Sequence, residues 1–209
     1  MTRKFKIHYN RVKSDRAAFA RVRARIEGDV GSLIELIRLG QKNGHFNNTA
    51  PFWSLARMLF PIVESLGCLL LRGQSTSANL KYGLEHLNAE YKGISAIISL
   101  VYRHSLMHQD ELRTLRKART SITWNLRFDS PNEHLIVTKF GRGLYEIKFD
   151  LTKFYQDILS KLKELENVYF KKQVQKEYNS WLLFKLSGNN RIERDAISEL
   201  SAIRKKYGR

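Results

Sequence analysis

The sequence predicts a mainly helical protein with a small antiparallel sheet inserted after its middle. Apolar residues recur at helical spacing over most of the chain. Between about residues 121 and 149 they instead alternate with polar residues, as in strands with one buried face. A length of 209 residues is within the range of one domain. We therefore expect one helical domain over residues 1–209, with a three-stranded antiparallel meander inserted at about 121–149.

Three helices are predicted before the sheet. The first covers residues 14–42, and Gly28 and Gly31 predict a kink or break within it. The second begins at Pro51, a residue that suits the first turn of a helix. The third is a long apolar helix that begins near Asn79 and continues to about residue 108.

The predicted strands are residues 122–128, 134–140 and 144–149, and turn-forming residues separate them. Asp150 can cap a further helix that follows the last strand directly. A final segment, residues 191–209, again has apolar residues at helical spacing. The sheet is thus expected between helices on either side of it in the chain.

The charge balance indicates a polyanionic partner. Lysine and arginine number 37 against 20 aspartates and glutamates, for a net charge of +17, which attracts RNA, DNA or anionic membrane. No membrane span is expected, because Arg57, Pro61 and Glu64 interrupt the most apolar segment. The N-terminus lacks the apolar block of a secretory signal, and Cys68 is the only cysteine. We therefore expect a cytoplasmic protein.

The segment Tyr102-Arg103-His104-Ser105-Leu106-Met107-His108 closes the third predicted helix. A guanidinium offers a planar fork of donors that fits phosphate oxygens, and an imidazole can move protons near neutral pH. Together they suit phosphodiester chemistry without a metal ion. On an ideal helix Arg103 and His108 lie roughly 140° apart, whereas His104 and His108 share a face. The helix must therefore end or distort there, or a second subunit must complete the site.

This segment resembles the motif of the HEPN superfamily, an Arg followed by a polar residue, a few more residues and a His. The resemblance implies a bundle of about four helices that is usually dimeric. Active members are metal-independent endoribonucleases, and others only bind RNA or have structural roles. By this resemblance, Arg103 and His108 correspond to the catalytic pair, and His104 corresponds to the polar residue of the motif. The implied products are a 2′,3′-cyclic phosphate and a 5′-hydroxyl.

The resemblance and the charge together predict a metal-independent endoribonuclease of toxin or defence type, which needs no cofactor. RNA is the expected partner, in a homodimer, and an antitoxin or another protein is a further partner to consider. A basic run after the motif is predicted to bind RNA phosphates near the site. This run consists of Arg113, Arg116, Lys117 and Arg119.

Other interpretations of the same residues stay open. Arg103 and His108 could cap helix carbonyls and pair with Asp110 or Glu111, as cations near a helix C-terminus usually do. His104 and His108 could bind a metal ion, but the sequence has no His-Glu-x-x-His, so no metal site is predicted. The protein as a whole could be a non-catalytic RNA- or nucleotide-binding helical module, or a structural partner of an acidic protein.

Overall fold

The computed structural model describes residues 18–45, 50–71, 76–106, 114–167, 191, 194–195, 197–199 and 201. Contacts divide the chain into two compact units, one of residues 1–15 with 170–209 and the other of residues 16–169. In the first unit the described residues are helical, and Ser201 Oγ donates to the Ile197 carbonyl at 2.8 Å. In the second unit the described residues form five α-helices and four strands.

The helices of the second unit are α1 (Ala18–Lys42), α2 (Ala50–Leu71), α3 (Thr76–Leu87), α4 (Ser95–Leu106) and α5 (Leu151–Asn167). The second predicted helix is confirmed as α2, with Pro51 in its first turn. A break at Gly28 and Gly31 is wrong, because α1 passes through both glycines. Its buried stripe, which includes Ile26 and Val30, outweighs the roughly 1 kcal/mol by which glycine disfavours a helix interior.

The predicted third helix is wrong as a single element, since it is divided into α3 and α4. Between them lie Asn88, the 3₁₀ turn Ala89–Tyr91 and a reversal that includes Gly93. The Asn88 side chain accepts a hydrogen bond from the Glu90 backbone N–H at 3.4 Å, and Gly93 has a φ of 92°. Both residues favour an end to the helix, and their local preference overrides the apolar spacing that runs through them.

The strands are β1 (Leu115–Lys117), β2 (Thr120–Arg127), β3 (Val137–Gly141) and β4 (Leu144–Asp150). They form one sheet in the order β1-β2-β4-β3. The central pair β2 and β4 is parallel, whereas β1 with β2 and β3 with β4 are antiparallel. The predicted three-stranded antiparallel meander is therefore wrong in the number, order and direction of its strands.

Burial explains this arrangement. On β4, Ile147 and Phe149 are buried, and the strand lies between β2 and β3 with hydrogen bonds on both sides. On β3, Val137 and Phe140 are exposed, which suits the edge of a sheet. The link from β2 to β3 crosses the end of β4, and the backbone N–H of Ser130 donates to Asp150 Oδ2 at 2.8 Å. Alternation in the sequence identifies strands and their buried faces, but it does not identify their neighbours.

An aromatic cluster joins the sheet to two helices. Phe149 of β4 lies 5.6 Å from Phe60 of α2 and 5.0 Å from Phe154 of α5, between ring centroids. Asp150 caps α5 as predicted, because its Oδ1 accepts the backbone N–H of Lys153 at 2.7 Å. In the part of the chain that the structure describes, no helix is both long enough and apolar enough to cross a membrane.

Candidate nucleic-acid interface

The predicted catalytic residues fall at the edge of the described structure. Arg103 and His104 belong to the last turn of α4, where the backbone is helical and the side chains are outside the described part. His108 and Arg113 lie outside the described residues altogether. The structure therefore brings none of these side chains together, and the catalytic pair stays a prediction.

The rest of the predicted basic run is described and exposed. Arg116 and Lys117 lie on β1, and Arg119 lies in the turn between β1 and β2. These residues form a strand at the edge of the described sheet and a tight turn. Two further exposed cations, Lys139 on β3 and Arg142 in the turn before β4, lie at the same end of the sheet. We call these five residues the basic sheet end.

Strand register places these cations at one end. Arg116 is opposite Ser121, Ser121 is opposite Leu144, and Leu144 is opposite Gly141, so one row of residues crosses all four strands. The neighbouring row ends at Lys139, which is opposite Tyr145. Adjacent strands are about 4.8 Å apart, so a row of four strands is roughly 14 Å wide. Register therefore brings residues of two separate hairpins to one end of the sheet.

The two turns are held against each other by backbone contacts. The backbone N–H of Ser121 donates to the Gly143 carbonyl at 2.7 Å. Gly143 has a φ of 74°, and a Cβ at this position would lie 2.0 Å from the carbonyl oxygen of Arg119. Only glycine meets both requirements without strain. This close approach is what brings the turn of Arg119 beside the turn of Arg142.

Charges at the opposite end of the sheet are arranged differently. There Arg127 and Lys148 both pair with Glu133, at 3.2 and 2.7 Å, and the Lys148 ammonium is the main cause of a lowered Glu133 pKa. Arg38 of α1 donates Nε–H to Asp129 Oδ2 at 2.7 Å and lowers the pKa of that carboxyl group. These cations are largely neutralised by their partners.

At the basic sheet end, by contrast, the described residues include no ion pair for any of the five cations. The first carboxylate farther along β4 is Glu146, which accepts a hydrogen bond from Asn125 Nδ2 at 3.4 Å. Because no described carboxylate pairs with them, these five cations keep more of their positive potential in the solvent than the paired cations at the opposite end do. This is the arrangement that attracts phosphates.

A buried polar network near the other end of the sheet is a second cluster of titratable groups. His134 Nε2 lies 2.9 Å from Tyr91 Oη, and Tyr91 Oη donates to Asp157 Oδ2 at 2.9 Å. Asp157 also accepts from Lys153 of α5. His134, Tyr91 and Asp157 are each at most 9% exposed, so no substrate reaches them. No spacing in the sequence indicates these partners of His134.

Burial shifts the pKa of both ring-bearing groups in this network. It lowers the pKa of His134 to about 4, with a further lowering from the Lys153 charge and an opposing effect of Asp157. Burial also raises the pKa of Tyr91, and the Asp157 carboxylate adds to this rise. Both groups are therefore neutral near pH 7, and the network joins α5 to the loops at that end rather than carrying out chemistry.

An open groove of about 710 Å³ between α1 and α5 is a third candidate. Its polar lining includes Glu27, Glu35 and Arg38. The guanidinium of Arg38 already donates to Asp129 and Glu35, so the groove has no free cation in its described lining for a phosphate. Over the described ranges, no three His, Cys, Asp or Glu side chains are grouped in a way that could hold a metal ion.

Comparison of the chain with protein-family models, with curated proteins and with solved structures finds no match. The resemblance to the HEPN superfamily therefore rests on the residues of the motif alone and stays a prediction. The basic sheet end rests on described contacts and register, and it is the surface from which a function can be argued.

Proposed function

We propose that this protein binds RNA and that the basic sheet end contacts the phosphates. The observation that supports this proposal is the collection of five exposed cations at one end of one sheet, without carboxylate partners among the described residues. Phosphate contacts of this kind supply most of the sequence-independent affinity for nucleic acid. The net charge of +17 acts in the same direction over longer distances.

Charge removal at two different places tests this proposal. The test variant combines Arg116→Gln, Arg119→Gln and Arg142→Gln, and the control variant combines Lys42→Gln, Lys92→Gln and Lys163→Gln. All six side chains are exposed, and each variant lowers the net charge from +17 to +14. Binding of a labelled RNA is measured by fluorescence anisotropy at 150 mM salt.

We expect the test variant to bind RNA at least tenfold more weakly than the control variant. Three lost phosphate contacts at about 0.7 counterions each account for a loss of this size. Equal affinities of the two variants would show that the location of the charges does not matter, and the proposed surface would be wrong. Circular dichroism confirms that both variants are folded before binding is compared.

We propose further that the bound RNA is cut, as the motif predicts. An imidazole of His108 or His104 would accept the proton of a ribose 2′-hydroxyl while that oxygen attacks the adjacent phosphorus. The bond from phosphorus to the 5′-oxygen would break, and that oxygen would take up a proton from the imidazolium or from water and leave as a 5′-hydroxyl. The Arg103 guanidinium would stabilise the charge that develops on the phosphoryl oxygens. In support of this step, α4, which bears Arg103, is the helix that precedes β1 of the basic sheet end in the chain.

Incubation of a labelled RNA with the protein in excess chelator tests the chemical step. We expect products with 2′,3′-cyclic phosphate and 5′-hydroxyl ends, no cutting of DNA, and loss of activity in both Arg103→Ala and His108→Ala while RNA binding is kept. Salt-sensitive binding without any cutting would instead assign the protein to the non-catalytic binding modules. Absence of RNA binding would leave the structural partner of an acidic protein as the function.

The proposal also includes a homodimer and a cytoplasmic location. In a dimer, Arg103 of one copy and His108 of the other could form one site. On a single ideal helix, the angle of roughly 140° between these two residues disfavours such a site. Sedimentation velocity of the wild-type protein, with and without RNA, measures this state. An antitoxin or another acidic protein partner would be found by co-purification from the native cell.

A further inference from the structure

Phe140 is an unusual side chain on the described surface. It is 62% exposed, more than any other large hydrophobic residue of the described chain, and it is the only aromatic residue among the exposed ones. The phenylalanines of β4 and α5, Phe149 and Phe154, are fully buried. An exposed ring at this position adds nothing to the core and is available to a ligand.

Local backbone structure explains why the ring is outside. Lys139 is opposite Tyr145 and Gly141 is opposite Leu144, so Phe140 is an extra residue that has no partner on β4. Such a bulge occurs where a strand bends and re-aims a side chain. Within the described sheet β3 is also an edge strand, so no neighbouring strand lies on its other side.

Exposed cations of the basic sheet end flank the ring along the chain. Lys139 precedes it, Arg142 follows two residues later, and both are exposed. Leu144, which is opposite the adjacent Gly141, is 41% exposed and extends the apolar surface. A protein partner that buried this apolar surface would also have to neutralise the cations around it, whereas a nucleic acid supplies phosphates and flat bases at once.

We propose, resting on the RNA-binding function above, that the basic sheet end selects unpaired RNA and that a base stacks on Phe140. The cations would hold the backbone phosphates on either side of that base. Bases of a duplex already stack on one another and are not free to contact the ring, whereas those of a single strand are. Phe140 is therefore the residue that distinguishes single-stranded from double-stranded RNA.

Binding of two RNA probes to three proteins tests this inference. The probes are a 12-nucleotide RNA without self-complementarity and the same strand annealed to its complement. The proteins are the wild type, Phe140→Ala and Val137→Ala. Val137 is the matched control, since it is a 47% exposed apolar residue on the same strand but has no aromatic ring.

We expect Phe140→Ala to lower the affinity for the single strand about tenfold and to leave the affinity for the duplex within twofold. Val137→Ala should change neither affinity by more than twofold. An equal loss for both probes, or no loss for either, would overturn the stacking role. A wild-type dimer that becomes a monomer in Phe140→Ala would also overturn it, because the ring would then belong to a contact between copies.

This result is separable from the failure of RNA binding itself. The charge variants described above test whether the basic sheet end binds RNA at all. If the variant with Arg116→Gln, Arg119→Gln and Arg142→Gln binds more weakly than its lysine control while Phe140→Ala keeps its affinity, RNA binding at the basic sheet end is supported and only the selection of unpaired RNA is wrong. Ultraviolet crosslinking of the wild-type protein to the single strand gives an independent readout, with the crosslinked peptide expected to contain Phe140.

Discussion

His134 shows how a buried side chain is held in one protonation state by its neighbours. Its Nδ1 accepts the backbone N–H of Asp150 at 3.1 Å, so Nδ1 bears no proton and the proton of the neutral ring is on Nε2. Nε2 then donates to Tyr91 Oη at 2.9 Å. Protonation of Nδ1 would turn the Asp150 contact into one between two donors and would place a charge in a buried site.

The stability of the protein should consequently fall in moderately acidic solution. Unfolded chains take up the histidine proton near pH 6.5, whereas the folded protein takes it up only near pH 4, where the lowered pKa of His134 lies. The unfolded state thus binds more protons over this interval, and the free energy of unfolding decreases as the pH falls from 6.5 to 4. The shift of the pKa corresponds to about 3 kcal/mol.

Urea unfolding of the wild type and of His134→Gln at pH 7.0, 5.5 and 4.5 measures this effect. Glutamine does not titrate, so the variant should lose less stability between pH 7.0 and 4.5 than the wild type does. His45→Gln, which removes an exposed imidazole, should keep the wild-type profile. The same loss of stability in wild type and His134→Gln would contradict the neutral, buried state of His134.

At the scale of elements, backbone contacts join the β1–β2 hairpin to the β3–β4 hairpin at the basic sheet end. The β1–β2 turn and the β3–β4 turn touch at Gly143, whose carbonyl accepts from Ser121 and whose missing Cβ leaves room for the Arg119 carbonyl. Ala118, in the first of these turns, also has a positive φ of 53°. The cations of the two hairpins are therefore held near one another by two tight turns rather than by side-chain contacts.

Gly143→Ala should separate the two turns. A Cβ at Gly143 would be 2.0 Å from a backbone oxygen and would require a left-handed residue, so we expect a loss of about 2 kcal/mol or more in stability. RNA affinity should fall several-fold even where the protein stays folded. Gly141→Ala is the control, since a Cβ there meets nothing within 4 Å, and it should change stability by less than about 0.5 kcal/mol.

Thermal unfolding of both variants, with RNA binding measured below the transition, compares these effects. Unchanged stability in Gly143→Ala would mean that the turns are free to move apart, and the basic sheet end would not be a preformed surface. An equally large effect of Gly141→Ala would show that the close approach of Gly143 to the Arg119 carbonyl is not the cause of the loss.

At the scale of the whole molecule, the described cations differ between the two ends of the sheet. Cations at one end of the sheet have carboxylate partners, such as Glu133 and Asp129, whereas those of the basic sheet end have none among the described residues. Paired cations contribute little to the field at a distance, and unpaired ones contribute fully. Among the described residues, the positive field is therefore expected to be stronger at the basic sheet end than at the other end of the sheet.

RNA affinity should depend strongly on salt, with a slope that reflects the number of phosphates contacted. Five contacts to a single strand predict a slope of about −3.5 for log affinity against log salt, or about a 100-fold loss from 50 to 200 mM. The variant with Arg116→Gln, Arg119→Gln and Arg142→Gln should reduce the slope to about −1.4, and the control variant with lysine substitutions should keep it. Equal slopes would place the contacts elsewhere.

Several features of the fold follow from the sequence because they depend on neighbours in the chain. Pro51 begins α2, Asp150 caps α5, and the Arg142-Gly143 turn joins β3 to β4, each through local backbone preference. The surplus of cations is likewise a property of composition. The exposure of Arg116, Lys117 and Arg119 agrees with their predicted role as a phosphate-binding run, although it does not test that role.

Other features depend on contacts between residues far apart in the chain, which a local pattern cannot specify. The position of β4 between β2 and β3 follows from the burial of Phe149 against Phe60 and Phe154, and alternation predicts only that β4 has a buried face. That position puts Lys139, Phe140 and Arg142 at the same end of the sheet as Arg116 and Arg119. The sequence alone determined that the protein is basic and mainly helical. Tertiary packing decided where the cations without a described carboxylate partner lie, because burial of core side chains sets the order of the strands.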